Sequence, residues 1–317
     1  MKRLDNVPTH LSRTFTGTYR LTGRVVEFDN SKTPFLKLRL SDCVGDQIAV
    51  LNLSKITVPE RIGHLDFVTA SGVKCLSGQF LLDEFRKATR EEVITLNTLQ
   101  SLPRVYSPMP EVFDKLVATV QSLQSDCLRE FLTRVLERKD RLETFLNAPA
   151  SVNYHHAYPG GLLEHSLNVA NNAVAMLRLN EPTMPRLMQE ACFVAGLLHD
   201  IGKTYTYDSK GKPNAAWKLC SHDAFTLEAC AYGLAYLDKH APDLAIILRH
   251  VWTCASPGAR YGQKAAITLA RYIRDADGQS AMADNQMRAF CTKSHWGFSR
   301  LGQNLFWRPE VSTSQPQ

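Results

Sequence analysis

The sequence predicts a multidomain protein in which a small β-barrel is followed by an all-α domain. Residues 14–88 contain short stretches in which apolar and polar side chains alternate, as they do in strands. Beyond residue 110 the apolar positions recur at helical spacing, and a segment with three prolines lies between the two patterns. A chain of 317 residues is also long for a single hydrophobic core. The predicted parts are a barrel over residues 1–97, a linker over 98–110, a helical domain over 111–290 and a C-terminal tail over 291–317.

The composition limits the cellular setting. The N-terminal residues MKRLDNVPTHLSR lack the apolar run of a signal peptide, and no later segment has the ~18 uninterrupted apolar residues of a membrane span. The eight cysteines form no CxxC pair, which argues against a zinc ribbon or a disulfide framework. We therefore expect a reduced, cytoplasmic protein without a membrane partner. The net charge of +6 is compatible with a polyanionic partner and is weak support by itself.

Five strands are expected in the N-terminal part, with a short connecting element between the third and the fourth. Gly23 in the first strand is a residue type that permits a bend or bulge. The predicted strands are Thr18–Phe28, Phe35–Leu40, Gln47–Leu53, Phe67–Cys75 and Gln79–Phe85. This order is similar to that of the OB-fold, and the resemblance implies a closed Greek-key barrel whose open face binds single-stranded nucleic acid.

The second strand presents the candidate nucleic-acid-binding residues. Its leucines fall on one face, and Phe35, Lys37 and Arg39 fall on the other. An aromatic ring beside two cations combines base stacking with phosphate binding. The alternative is a solvated face of a barrel that binds protein or only separates domains.

The segment Gly160–Lys203 carries the strongest signal for chemistry. Its first helix has His165 in its opening turns, and an apolar second helix is expected to end in His199 and Asp200. A buried imidazole and carboxylate at the end of so apolar a helix need a charged partner, and a divalent cation provides one. Each residue alone also has an ordinary interpretation as a core or surface group.

These residues, with the motif GLLHDIGK, resemble the HD-domain superfamily of metal-dependent phosphohydrolases. The resemblance implies that an aspartate after a small residue completes the ligand set, which favours Asp277 over Asp275. His222 and His250 are similar to the histidines that hold a second metal in some HD enzymes. Lys203 is the cation expected to contact phosphate. The implied cofactor is a divalent ion, with Mn²⁺ favoured and Mg²⁺, Fe²⁺, Ni²⁺ or Co²⁺ as alternatives.

A wider resemblance spans nearly the whole chain. The barrel, the proline-bearing link and the helical domain, with the motif NYHHAYPGG, look like the YhaM-type 3′–5′ exoribonucleases. One departure concerns the loop after the His250 helix, where that family has paired histidines and this chain reads Ala255-Ser256-Pro257-Gly258. Two ligands of a second metal are therefore missing. The motif HHAYPGGLLEHS also resembles the HD-type domain of MobH conjugative relaxases, which keeps DNA open as a substrate.

The sequence thus predicts a metal-dependent nuclease for single-stranded RNA or DNA, with a 3′–5′ exonuclease favoured. A bound divalent cation would lower the pKa of a water molecule and neutralise charge on phosphate. Asp200 would ligate the cation and orient the water molecule, and Lys203 would contact the scissile phosphate. The alternatives are a phosphohydrolase of free nucleotides, a MobH-like DNA-processing protein and a non-catalytic nucleic-acid-binding protein. The metal, the polarity of attack and homo-oligomerisation stay open.

Overall fold

The computed structural model describes residues 13–54, 56–58, 61–75, 78–94, 96, 99–136, 138–208, 210–291 and 296–310. The chain divides into two compact units, Met1–Leu146 and Asn147–Gln317. The predicted barrel and tail include residues 1–12, 292–295 and 311–317, which lie outside the described residues.

The first unit begins with five strands, as the sequence predicts. Their pairings close in the order β1-β2-β3-β5-β4 into a barrel, with β3 and β5 parallel and the other neighbours antiparallel. A register shift between Leu21 and Gly23 marks the predicted bulge in the long first strand. The strands are β1 (Arg13–Phe28), β2 (Pro34–Ser41), β3 (Asp46–Asn52), β4 (Phe67–Lys74) and β5 (Phe80–Lys87).

In the second strand, the alternation predicts the core residues correctly but does not predict the exposure of the opposite face. Leu36, Leu38 and Leu40 are 0%, 1% and 0% exposed and belong to the barrel core, as predicted. Phe35 is also buried, with 2% of its surface exposed. The prediction that Phe35 stacks on bases is therefore wrong, because its ring faces are not accessible. Alternation assigns a residue to a face, but it does not say whether other parts of the protein cover that face.

Lys37 and Arg39 remain at the surface of the barrel. Lys37 Nζ lies 3.2 Å from Glu27 Oε1, and Arg39 Nε lies 3.6 Å from Asp46 Oδ2. Exposed ion pairs of this kind contribute little to stability, so a phosphate could replace either carboxylate at small cost. Their assignment to nucleic-acid binding stays a prediction.

The first unit continues beyond the proline-bearing segment. Leu99 and Leu102 are fully buried, and Cys43 N donates to Gln100 O at 2.9 Å. The segment predicted as a linker is therefore packed within the first unit from Leu99 onward, and the boundary between the two compact units falls after Leu146 in the chain instead. Prolines restrict the backbone, but they do not report whether the apolar residues between them are buried. The helices of this unit are α1 (Arg90–Ile94), a 3₁₀ turn at Arg104–Tyr106, α2 (Pro110–Gln121), α3 (Asp126–Leu136) and α4 (Lys139–Asn147).

The second unit is mostly helical, as predicted, and ends in a hairpin within the predicted tail. Its elements are α5 (Gly161–Asn180), α6 (Arg186–Leu197), a 3₁₀ turn at Ile201–Tyr205, α7 (Ala215–Leu219), α8 (His222–His240), α9 (Pro242–Thr253), α10 (Leu269–Phe290), β6 (Gly297–Leu301) and β7 (Asn304–Arg308). Helix α5 packs against both α6 and α10, and the Arg308 guanidinium lies 4.4 Å from the centre of the Phe290 ring. None of the described helices combines the length and apolar character needed to cross a membrane.

Candidate metal centre

The loop before α5 and the start of α5 are held together by a close backbone approach. A Cβ on Gly161 would lie 2.1 Å from the carbonyl oxygen of His156, so only glycine fits at this position. The same carbonyl accepts a hydrogen bond from Ala150 N at 3.0 Å. The loop is thereby fixed one turn before His165, which is completely buried within α5.

The His199-Asp200 pair lies just beyond α6. The sequence predicts that this helix ends in the pair, whereas α6 ends at Leu197 and the pair forms a turn before the 3₁₀ segment. His199 Nδ1 lies 2.7 Å from Gly196 O. Because a carbonyl only accepts, Nδ1 carries the proton, and the lone pair of a neutral ring is at Nε2. The turn therefore fixes the tautomer that a metal ligand requires.

Four of the predicted ligands come together in this unit. His165 Nε2 is 3.1 Å from Asp277 Oδ1 and 3.5 Å from Asp200 Oδ2. His199 Nε2 is 3.4 Å from Asp200 Oδ2 and 3.8 Å from Asp277 Oδ1. Asp275, two positions earlier on α10, is exposed. The geometry supports the choice of Asp277 over Asp275.

At this centre the Nδ1 atoms of His165 and His199 are hydrogen-bonded, whereas their Nε2 atoms are not. Nε2 of His165 and Nε2 of His199 are both buried and have no hydrogen-bond partner. Buried polar atoms nearly always have a hydrogen-bond partner. Nitrogen atoms that lack one and lie close to carboxylates therefore need another partner. Imidazole nitrogen and carboxylate oxygen are the donors that Mn²⁺, Fe²⁺ and Zn²⁺ accept. The residues present therefore fit a divalent cation.

His155 is a further candidate ligand that the predicted set does not contain. Its ring centre lies 4.9 Å from that of His165, and its Nε2 is also buried without a partner. Ligand atoms of His155, His165 and Asp277 lie within 4.8 Å of one another. Burial lowers the pKa of His155 to about 4, so the ring is neutral at neutral pH. The paired histidines of HHAYPGG were the sequence signal for this candidate ligand. The way in which a loop packs against a helix, however, cannot be predicted from periodicity.

Asp200 links this cluster to two further side chains, Lys203 and His222. Its Oδ2 lies 2.6 Å from Lys203 Nζ, and its Oδ1 lies 3.0 Å from His222 Nε2. Burial alone would raise the pKa of Asp200, but Lys203, His199 and His222 together hold it well below its usual range. Asp200 is thus an ionised carboxylate that the protein stabilises from several sides.

The position of His222 depends on Gly202. A Cβ on Gly202 would lie 2.0 Å from His222 O, so the first turn of α8 packs directly on the backbone of the HDIGK motif. This contact brings His222 to Asp200. It also gives the glycine of the motif a structural role, since a larger residue would not fit against α8.

His250 occupies a different environment. Its Nε2 accepts a hydrogen bond from Ala266 N at 2.9 Å. Neither of the two groups of potential metal ligands among the described residues includes it. The assignment of His250 to a second metal stays a prediction, and its Nε2 is already hydrogen-bonded to Ala266 N.

Comparison with known proteins gives matches of the predicted kind. A family model, TraI_2, described as "Putative helicase", matches residues 107–217. A dihydroneopterin 2′,3′-cyclic phosphate phosphodiesterase of Methanocaldococcus jannaschii is 35% identical over 101 residues. The 3′-5′ exoribonuclease YhaM of Bacillus subtilis is 28% identical over 174 residues, and that of Bacillus velezensis is 28% identical over 272 residues. The predicted resemblance to YhaM-type exoribonucleases and HD-type phosphodiesterases is confirmed.

The extent of these matches differs. The first covers 32% of this chain and 39% of the archaeal protein, and the second covers 54% of this chain and 52% of its relative. The third covers 80% of this chain and 81% of the Bacillus velezensis protein. The chain therefore spans less than two thirds of the length of two of these relatives and about four fifths of the third.

Proposed function

We propose that this protein is a metal-dependent phosphodiesterase that removes nucleotides from single-stranded nucleic acid, as a 3′–5′ exonuclease. The observation that carries the proposal is the convergence of unpaired imidazole nitrogens on the carboxylates of Asp200 and Asp277. The names of the relatives, two exoribonucleases and one phosphodiesterase, support the same class of reaction. We further propose that the barrel is of the OB type and the second unit of the HD type.

His165, His199, Asp200 and Asp277 would hold the cation, with His155 within reach. When bound, the cation supplies charge neutralisation on phosphate and a lowered pKa for a water molecule, and Mn²⁺ is the ion that we propose. Lys203 would place its ammonium group on a phosphate oxygen at the edge of the centre. Its ion pair with Asp200 holds that group in place before substrate arrives.

The barrel would hold the strand while its end is hydrolysed. Lys37 and Arg39 supply positive charge at its surface. Phe28, at the end of β1, is 66% exposed and offers the stacking surface that buried Phe35 cannot. The barrel would therefore contribute affinity, and the second unit would carry the chemistry.

The direct test uses end-labelled single-stranded RNA and DNA with a panel of divalent ions. The wild-type protein should shorten the strand from its 3′ end. Asp200→Ala should abolish hydrolysis and lower the metal content, whereas Asp275→Asn, on the same helix as Asp277 but exposed, should leave both unchanged. Full activity of the Asp200 variant would contradict the site assignment. A wild-type protein that hydrolyses mononucleotides but not strands would favour a nucleotide phosphohydrolase.

DNA processing is the second candidate, because the TraI_2 model matches residues 107–217. The description of that model as a helicase is not supported by the segment around the HDIGK motif, which is not a P-loop. Gly196–Thr204 (GLLHDIGKT) ends like a P-loop, but five residues separate its glycines and a P-loop has four. The segment also follows helix α6, whereas a P-loop follows a strand. Cleavage of single-stranded DNA at an internal site would favour a relaxase-like role over an exonuclease.

A further inference from the structure

A cavity of about 310 Å³ lies directly beside the metal centre in the second unit. Two of its lining residues, Lys203 and His222, are the two groups bonded to the Asp200 carboxylate. The cavity is therefore continuous with the place where we propose that phosphate is bound. Its volume is at the lower end of the range for small-molecule sites, which suits one nucleotide and not a longer stretch.

The walls of this cavity differ in chemistry. The side toward the centre carries Lys203 and His222, and none of the described lining residues is acidic. The lining also includes three aromatic residues, Tyr154, Tyr207 and Trp217. A cavity lined by an ammonium group, an imidazole and aromatic rings matches a ligand that joins a phosphate to a planar ring.

Trp217 is the ring best suited to stacking. It is 43% exposed although it is the largest apolar side chain of the cavity, whereas Tyr207 is only 4% exposed. Large side chains of this kind contribute most when they are covered, so a partly exposed tryptophan in a cavity marks a surface that a ligand would complete.

Trp217 is also held in a fixed place. It lies on α7, whose first turn is capped by Asn214, with Oδ1 accepting from Ala216 N at 2.9 Å. Asn214 is anchored in turn, since its own N donates to Thr206 O at 3.0 Å and its Nδ2 donates to Tyr205 O at 2.8 Å. The ring is thus presented by a segment tied to the HDIGK motif. Such preorganisation limits the entropy lost on binding.

We propose that this cavity binds the terminal nucleoside of the strand, with its base stacked on Trp217 and its phosphate at Lys203 and His222. This proposal rests on the proposed function and adds to it a requirement for a base at the cleaved end. It assigns Trp217 as a specificity-determining residue. The substrate class is then a nucleotide unit, and simple alkyl phosphodiesters lack the part that the cavity recognises.

The test measures binding of adenosine 5′-monophosphate and of ribose 5-phosphate to the full chain, by calorimetry with Mn²⁺ present. Base stacking is worth ~5-fold to ~150-fold in affinity per base. Trp217→Ala should weaken the binding of adenosine 5′-monophosphate by that factor and leave the binding of ribose 5-phosphate unchanged. Trp217→Phe should retain most of the affinity for adenosine 5′-monophosphate. Leu219→Ala is the matched control, because Leu219 lies on the same short helix, is 81% exposed and does not line the cavity.

Two results would overturn the proposal. One is wild-type protein that binds adenosine 5′-monophosphate no better than ribose 5-phosphate. The other is a Trp217→Ala variant that binds adenosine 5′-monophosphate no more weakly than the Leu219→Ala control does. The strand-degradation assay separates this from the proposed function. Degradation without a Trp217 effect refutes the subsite alone, and Trp217-dependent binding without degradation refutes the nuclease alone.

Discussion

The Ser280 hydroxyl lies 3.0 Å from Nδ1 of His165, whose Nε2 faces the carboxylates of the metal centre. This contact is one step in a hydrogen-bonded chain whose direction can be assigned. Tyr158 donates its hydroxyl proton to Glu164, so it accepts from His156 Nδ1 at 2.7 Å. His156 Nε2, 3.3 Å from Ser280 Oγ, must then accept from Ser280. The Ser280 oxygen in turn accepts from His165 Nδ1–H, which leaves the His165 lone pair at Nε2.

The first prediction concerns this series of hydrogen bonds. Ser280→Ala removes the acceptor that fixes the His165 tautomer, and such supporting contacts are typically worth 10-fold to 100-fold in metal affinity. We expect a loss of about that size in Mn²⁺ affinity, measured by titration against a competing chelator. Ser166→Ala is the control, because Ser166 is equally buried and its hydroxyl has no hydrogen-bond partner. Equal losses in the two variants would show that the effect is only one of packing.

The second prediction concerns Gly202. Gly202→Ala places a methyl group 2.0 Å from His222 O, so the first turn of α8 must shift away from the motif. Overpacking of this kind costs ~1–3 kcal/mol, and His222 should lose its contact with Asp200. We expect a lower melting temperature. Gly278→Ala in α10, where an added Cβ meets nothing within 4 Å, should be neutral or stabilising by up to ~1 kcal/mol. A Gly202 variant as stable as this control would contradict the close approach.

Local patterns explain which features the sequence could predict. The alternation of β2 predicted its leucine core, and the His-Asp pair after an apolar helix pointed to His199 and Asp200, whose side chains lie 3.4 Å apart in the proposed centre. Burial of Phe35 depends on what covers the outer face of the strand, which a period of two cannot encode. The position of His155 depends on how a loop packs against α5, and that is a tertiary contact between residues without periodicity.

The third prediction tests the barrel surface. Replacing Lys37 and Arg39 together by alanine should weaken binding of a single-stranded oligonucleotide. If each residue meets one phosphate, the salt dependence of log K should become shallower by ~1.4, since each contact contributes ~0.7 on single strands. Fluorescence anisotropy at several salt concentrations measures both quantities.

Lys115→Ala is the charge-matched control for each single replacement, Lys37→Ala or Arg39→Ala, because this exposed lysine lies on α2 and not on the barrel. Glu27→Gln provides the converse variant, since it frees Lys37 from its partner at 3.2 Å and should tighten binding. An unchanged salt slope in the double variant would assign the barrel another role.

The final prediction concerns the number of metal ions. His165, His199, Asp200 and Asp277 suffice for one ion, whereas His250 Nε2 is already bonded to Ala266 N. We expect one equivalent of metal per chain to survive extensive dialysis, measured by elemental analysis. A second ion should appear only at high metal concentration, because each absent ligand or supporting contact costs tenfold or more in affinity.

Two variants decide which residue is responsible if a second equivalent is retained. His250→Ala should leave the retained metal unchanged, since His250 is outside both groups of potential ligands among the described residues. His155 lies within ligand distance of His165 and Asp277, so it is the residue able to replace the missing histidine pair. Two retained equivalents that fall to one in His155→Ala would assign the second ion to the loop before α5. Two equivalents that persist in both variants would contradict the ligand set, because no other described group of three potential ligands is available.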